Sequence, residues 1–438
     1  MALTAYLATV PHSAKQPTIS TQRGVSAFPL SVALLGFGTV GRAVAEILCR
    51  TPGPELRLSC VFNRNVERKR AHWVPDAVQW TENFADVVAS NANIVVELIG
   101  GLDPAHEFIR RTLLSGKSVV TANKHVIAKH GLELFALARQ VGQRLEYGAS
   151  VGGGVPILAA LQHGLSGDRL FRACGILNGT CNYILSNMEA NGTTLATALA
   201  QAKKLGYAES DPSDDVSGLD AACKLAIAAR TGFRAELNAF DVPRRTIEGI
   251  KPADFGYARQ LGCTIRQISF AELNETILRS AVGPALVPLS SPLAKTIDNQ
   301  NAIVFTGEKS GDTLLAGRGA GGDPTAVAVV SDLLAIAHSG QFPGLPSVLS
   351  KFRSGELKRE HYLRVETKKQ TNVVDSLSRR LADYGVEIRR VLEPSDEKKL
   401  QWAFALKQCG SLVLEEAIDQ ITKLDGISEN MLALPIFA

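Results

Sequence analysis

The sequence predicts an α/β protein: a first domain on a doubly wound parallel sheet, then an α+β domain, then a small C-terminal module. Three observations carry this. An apolar run from Ser31 breaks at glycine and resumes at helical spacing through Ala45, Ile47 and Leu48. Short apolar runs at 56–62, 94–99 and 118–122 follow with helical segments between them, the alternation that builds a parallel sheet. From residue 358 the pattern runs in the order β-α-β-β-α-β.

The elements divide the chain as follows. Residues 30–151 form the first domain, which ends where Gly152, Gly153, Gly154 and Pro156 suit neither a strand nor a helix interior. The second domain, 152–340, begins with a helix-rich stretch to about Gly232 and continues through strands at 282–287 and 302–305. A second glycine cluster, G-R-G-A-G-G-D-P-T from Gly317, opens a long apolar helix. Asp323 or Thr325 near its start and Pro324 in its first turn suit a helix N-terminus, and this helix is expected to pack back on the first domain. Residues 341–357, within a polar stretch rich in Pro, Gly, Ser and Lys, read as a linker. Residues 358–438 form the last module, with strands at 362–365, 386–391, 400–406 and 427–434 and helices at 373–384 and 411–424. Residues 1–29 read as a disordered extension: up to Leu30 the chain has no Asp or Glu and only Lys15 and Arg23 as charges, whereas a transit peptide is richer in Arg.

Composition excludes several function classes. The 438 residues are 45% hydrophobic and 21% charged, with a net charge of +4 spread among both signs, so no basic stripe marks a nucleic-acid partner. No run of about 18 apolar residues exists to span a membrane. Seven cysteines show no C-x-x-C spacing and are odd in number, which reads as reduced thiols in a cytoplasmic protein. The histidines are scattered singly, so spacing points to no metal site, and no hydrolase signature is present.

Gly36, Gly38 and Gly41 form G-x-G-x-x-G directly after a strand and at the mouth of a helix. There glycines permit a tight turn and let a pyrophosphate approach the helix N-terminus, so this is a dinucleotide-binding fingerprint of the Rossmann type. At the end of the second strand, where NAD enzymes place an acid for the ribose hydroxyls, stand Asn63 and Arg64, then Arg68, Lys69 and Arg70. Cations there can neutralise a 2′-phosphate, which favours NADP; the same run also suits a solvated loop. Between Gly206 and Lys224 five acids, Glu209, Asp211, Asp214, Asp215 and Asp220, precede one lysine, and Asp220 and Lys224 share a helix face. Either this is a surface ion pair, or carboxylates bind an ammonium group while Lys224 meets a carbonyl. Lys124, after a strand, falls at a carboxyl end of the sheet, where open α/β folds bind ligands.

Six separated motifs then agree: L-L-G-F-G-T-V-G, T-A-N-K, V-G-G-G-V-P-I-L, G-I-L-N-G-T-C-N-Y-I-L, G-Y-A-E-S-D-P with D-D-V-S-G-L-D-A-A-C-K, and G-R-G-A-G-G-D-P-T-A. Over about residues 31–340 the chain resembles the homoserine dehydrogenase family. The resemblance implies reversible NADP- or NAD-dependent reduction of L-aspartate 4-semialdehyde to L-homoserine, on the route to threonine, methionine and isoleucine, by a homodimer or homotetramer. It implies that Lys224 donates and accepts the proton, that Lys124 lies near cofactor and substrate, and that Glu209, Asp215 and Asp220 surround the substrate's amino group and the lysine. Phe37, Thr39 and Val40 would line the dinucleotide turn, with Gly206 and Gly321 near the nicotinamide. The family's sodium site would use the carbonyls of Val151, Gly153 and Val155, but its glutamate position, on a strand, falls at Gly148, with Glu146 two residues away on the same face. This departure argues against a retained sodium site. The C-terminal module resembles an ACT domain, an amino-acid-sensing unit, with T-K-K-Q-T-N-V-V in place of its usual Pro-Gly turn. The Gly148 change also leaves open a related dehydrogenase acting on another amino-acid aldehyde. A catalytically silent sensor is the further alternative, and Lys124, Glu209, Asp220 and Lys224 standing together speak against it.

Overall fold

In the computed structural model, residues 29–50, 55–338, 352–367, 374–392, 401–424, 426–428 and 430–437 are described. The N-terminal extension, most of the linker and most of the T-K-K-Q-T-N-V-V segment lie outside them.

Six parallel strands, β1 (Leu30–Leu35), β2 (Leu56–Phe62), β3 (Gln79–Thr81), β4 (Ile94–Glu97), β5 (Ser118–Thr121) and β6 (Leu145–Glu146), pair in the order β3-β2-β1-β4-β5-β6. Every residue of β4 and β5 is buried, as expected of a sheet covered on both faces. The chain departs from β1 to one side and returns to β4 on the other, so a crevice opens beyond the carboxyl ends of these two strands. β4 stops at Glu97 rather than at residue 99. The buried Glu97 carboxylate accepts the N–H groups of Ile99 (2.8 Å) and Gly100 (3.3 Å), which turns the chain out of the sheet.

The stretch expected to be helix-rich also contains a strand that was not expected, β7 (Leu170–Ile176). Its neighbours are β8 (Cys263–Asn274), β9 (Ile277–Pro288), β10 (Gln300–Gly307), β11 (Gly311–Arg318) and β12 (Arg353–Ser354), in a second sheet ordered β11-β10-β7-β8-β9-β12. Gly175 hides the strand signal in β7. A Cβ there would press on Ile303 Cα at 2.7 Å, so the close approach of β10 requires the residue that weakens a strand pattern.

The helix Gly322–His338 returns to the first sheet and buries Ala326, Val329 and Leu333 against Val44, Ala45 and Leu48 of the helix Thr39–Arg50. Among the described residues no helix is long and apolar enough to cross a membrane.

The last module has the strands β13 (Lys358–Glu366), β14 (Ile388–Leu392), β15 (Gln401–Gly410) and β16 (Leu432–Pro435), with helices Val374–Ala382 and Ser411–Ile421 between them. Its antiparallel sheet is ordered β14-β15-β13-β16, a ferredoxin-like topology. It docks on the second domain through buried polar contacts: Tyr362 Oη donates to Asp254 Oδ1 (2.7 Å), and Arg364 Nε donates to the same oxygen (2.8 Å).

Candidate active site

The site is assembled by three helix starts. Asn123 follows β5, and its Oδ1 accepts the Val126 N–H (3.2 Å), which begins the helix Lys124–Gln140 with Lys124 as its first residue. Asn178 follows β7, and its Oδ1 accepts the Cys181 N–H (2.7 Å) at the start of the helix Gly179–Asn191. Gly218, at φ 83°, starts the helix Leu219–Gly232, which carries Asp220 and Lys224. The buried Arg230 clamps the first and third of these helices together, donating to the carbonyls of Ile127 (2.8 Å) and Ala128 (3.0 Å).

This packing places one buried carboxylate between two ammonium groups. Lys124 Nζ lies 2.9 Å from Asp220 Oδ1, and Lys224 Nζ lies 2.8 Å from Asp220 Oδ2. The Asp220 side chain is 4% exposed and those of Lys224 and Lys124 are 13% and 32% exposed, so the pair is no surface salt bridge. Burial pushes the Asp220 pKa up, yet the charges and hydrogen bonds of Lys224 and Lys124 outweigh it and hold the carboxyl well below the ordinary range. Asp220's charge in turn raises the Lys124 pKa against the effect of burial.

Lys224 Nζ also donates to the Leu177 carbonyl (2.9 Å), which engages two of its three N–H donors and leaves one for a substrate oxygen. Asn178 joins the cluster through Nδ2, donating to Asp215 Oδ1 (2.6 Å) and Asp220 Oδ2 (2.8 Å). Desolvation raises the Asp215 pKa and the Asp220 charge adds to it, while the Asn178 bond opposes both. In the sequence Asn178 stood only within the motif G-I-L-N-G-T-C-N-Y-I-L, with no role attached to it. Glu209 is different: it stands exposed on the segment before the helix Ser213–Val216, and no ion pair or hydrogen bond joins it to the cluster.

The three fingerprint glycines do separate work. Gly36 has φ 105°, and a Cβ there would meet the Leu98 carbonyl at 2.9 Å; Gly41 packs on the Gly36 carbonyl; a Cβ at Gly38 would meet nothing within 4 Å. Gly38 thus leaves open space at the helix N-terminus, where a phosphate can approach backbone N–H groups. Phe37, Gly38 and Thr39 line a cleft of about 440 Å³ with Arg42, Arg68, Lys69 and Arg70. Arg64 is exposed and is not among the residues of this cleft. The donor set fits a dinucleotide with a further phosphate.

The two other glycine loops pack on each other and on the dinucleotide turn. A Cβ at Gly153 would meet the Gly319 carbonyl at 2.5 Å, and one at Gly322 would meet Thr39 Cγ2 at 3.0 Å. Gly321, at φ 120°, therefore sits next to the dinucleotide turn; Gly206, at φ 75°, lies exposed beyond the helix Leu195–Lys204. Val40 is half-buried on the first turn of the helix Thr39–Arg50.

Family models for the homoserine dehydrogenase domain and for its NAD-binding domain match residues 156–334 and 36–148. The homoserine dehydrogenase of Bacillus subtilis (strain 168) is 35% identical over 379 residues, 83% of this chain and 87% of the relative. The chain belongs to the homoserine dehydrogenase family. It is an NAD(P)-dependent oxidoreductase acting on a CH–OH group. A solved homoserine dehydrogenase from Thiobacillus denitrificans superposes with a TM-score of 0.85 at 33% identity, covering 93% of this chain and 98% of that one. A hyperthermophilic archaeal homoserine dehydrogenase solved in complex with NADPH matches with a TM-score of 0.61 at 28% identity, over 73% and 100% of the two chains.

The expected sodium-binding region departs from the sequence-based reading in its backbone. β6 ends at Glu146, and Gly148–Ser150 form a 3-10 turn, so Glu146 and Gly148 do not share a strand face. Glu146 is instead paired with Arg144 (2.6 Å). The space of a side chain at Gly148 is taken by Asp332 of the helix Gly322–His338, whose Oδ1 lies 2.5 Å from where a Cβ would stand. Val151, Gly153 and Val155 are buried, and the Val155 carbonyl accepts the Ile157 N–H (2.7 Å). These residues lack the family's carboxylate in its place.

Burial and, secondarily, Glu146 push the Asp332 pKa up from 3.8 to about 7. A carboxyl raised in the folded state stabilises the fold fully below about pH 4 and loses that contribution as the pH rises through about 7. Asp332→Asn, which stays neutral and keeps an oxygen for the Ala149 N–H, is expected to gain on the wild type across this window. The gain by pH 8 is about 4 kcal/mol, three pKa units at about 1.4 kcal/mol each. Unfolding midpoints measured from pH 4 to 8 check this, and a gap independent of pH would overturn it.

Proposed function

We propose that this chain interconverts L-homoserine and L-aspartate 4-semialdehyde, prefers NADP, and uses Lys224 as its proton donor and acceptor. The observation that carries the reading is the pair of ammonium groups on the two oxygens of one buried carboxylate. When bound, the nicotinamide cofactor supplies the hydride that reaches the aldehyde carbon. Lys224 then turns its remaining N–H toward the developing alkoxide and transfers the proton as the C–O bond becomes single. Lys124 adds a second positive charge that stabilises the same oxygen before protonation. Asp220 holds both lysines charged and in place. Asp215 binds the α-ammonium group, and the resemblance assigns Glu209, exposed on the segment before the helix Ser213–Val216, to the same group.

NADP preference is supported by Asn63 where an acid would meet the ribose hydroxyls, by the cations of the cleft, and by the NADPH carried by the archaeal neighbour. Arg68, Lys69 and Arg70 replace Arg64 as the 2′-phosphate partners in this reading. Arg68→Gln/Lys69→Gln/Arg70→Gln is expected to lower kcat/KM for NADP by about tenfold or more, the size of one lost charge-assisted bond, and to leave NAD turnover nearly unchanged. Initial rates of L-homoserine oxidation with each cofactor test both proposals. No turnover by the wild type would end the substrate reading; equal losses with NADP and NAD would end the phosphate reading.

Seven unpaired thiols suit a reducing cytoplasm. The edge strand β11, with Leu314 45% exposed, suits a homodimer or homotetramer. The ferredoxin-like topology suits an ACT-like sensor, and the three sheets support domain limits of 30–151, 152–340 and 358–438, except that β12 pairs with β9 of the second sheet from within the stretch 341–357 read as a linker.

A further inference from the structure

A second polar cluster lies outside this machinery. His106 stands in the first turn of the helix Ala105–Leu114, while His130 and Glu133 lie three residues apart on the helix Lys124–Gln140. Helix packing brings the two imidazoles into a near-parallel stack, with centroids 4.0 Å apart and planes 20° from parallel. Both ring nitrogens address one oxygen: His106 Nε2 is hydrogen-bonded to Glu133 Oε1, and His130 Nδ1 lies 3.5 Å from the same atom. All three ligand atoms fall within 4.8 Å of one another.

As stacked, the two rings do not aim their in-plane lone pairs at one point; rotation of one ring about its Cβ–Cγ bond lets a divalent cation meet both nitrogens and the carboxylate at once. The histidines are about one-fifth to one-quarter exposed and Glu133 is 58% exposed, so an ion has an open path from solvent.

We propose that His106 Nε2, His130 Nδ1 and the Glu133 carboxylate form a divalent transition-metal site that takes Zn²⁺, with water in the fourth position. Nitrogen and carboxylate ligands suit Zn²⁺ over Mg²⁺ or Ca²⁺, and three protein ligands with one open place is a common zinc arrangement. The metal ties together two helices, the second of which begins with Lys124, 2.9 Å from Asp220. No reacting atom is touched. The site adjusts the rigidity of the scaffold that presents Lys124.

The test uses full-length protein stripped with a chelator, dialysed against Zn²⁺, beside His106→Gln, His130→Gln and Glu133→Gln. Wild type is expected to bind one equivalent and to show a higher unfolding midpoint with Zn²⁺ than with chelator. Each variant, melting like the stripped wild type, is expected to bind at least about tenfold more weakly and to lose the shift. Co²⁺ in place of Zn²⁺ is expected to give visible absorption without sulfur-to-metal charge transfer. Zinc binding unchanged in the variants, sulfur charge transfer from a cysteine site, or no stoichiometric binding by wild type would each overturn the proposal. Because dehydrogenase turnover in metal-free buffer is expected to stay within about twofold in all three variants, failure here leaves the proposed reaction untouched.

Discussion

Lys224→Met is expected to lower kcat by about a thousandfold in both directions of the reaction, while KM for substrate changes by only a few-fold. Methionine keeps most of the apolar stem, and the Asp220 charge left behind still faces Lys124 at 2.9 Å, so the buried carboxylate stays compensated and the fold persists. In the proposed mechanism, what is lost is the donor that completes the alcohol. A positioned acid or base contributes about 10²–10⁴ in rate, and a cation at a developing oxyanion adds to it. A loss confined to kcat means that Lys224 acts in the transition state and not in ground-state binding. Steady-state kinetics with L-homoserine and either cofactor reads this directly. A kcat within tenfold of wild type would remove Lys224 from the proton step and leave Lys124 or water as the donor.

Asp220→Asn is expected to damage both stability and rate. The side chain is 4% exposed and each of its oxygens faces an ammonium, so the neutral amide leaves two lysines without their shared counter-charge. Removing one partner of a buried charge cluster costs about 3–5 kcal/mol. The pH sign follows from the lowered Asp220 pKa. A carboxyl whose folded value lies below its ordinary 3.8 stabilises the fold at any pH above that value and loses the contribution as the pH falls toward the folded value. The gap between wild type and Asp220→Asn is therefore expected to be full at pH 7, nearly full at pH 5, and to shrink only below about pH 4. Turnover by the folded fraction should drop about a hundredfold, because Lys224 keeps only the Leu177 carbonyl to orient it. Melting curves across this range, paired with kcat at pH 7, check both parts. A gap that already closes at pH 6 would place the stabilising charge elsewhere.

Both effects depend on a cluster whose members were partly visible in the sequence. Asp220 and Lys224 are four apart on a helix, and that spacing alone made them neighbours. Whether they formed a solvated ion pair or a buried site was undecided, because exposure is a property of what packs on the helix. Asn178 joins Asp215 and Asp220 from a different strand end, and no local pattern connects positions 178, 215 and 220.

Local rules determined much by themselves. The strand, tight turn and helix around Gly36, Gly38 and Gly41, the alternation through β5, and the β-α-β-β-α-β order of the last module follow from hydrophobic period and turn chemistry within short windows. The six motifs marked the family for the same reason: each is a contiguous string. Tertiary structure alone decided the rest. β7 was hidden because Gly175 serves its neighbour β10 and not its own strand. Of the basic run after β2, Arg68, Lys69 and Arg70 line the cleft and Arg64 is not among its residues, a division that spacing along the chain does not show. The carboxylate beside Gly148 comes from Asp332 on a helix far along the chain, and His106 meets His130 and Glu133 because two consecutive helices pack side by side. Burial, charge compensation and convergence of side chains are sums over neighbours that a linear pattern does not contain.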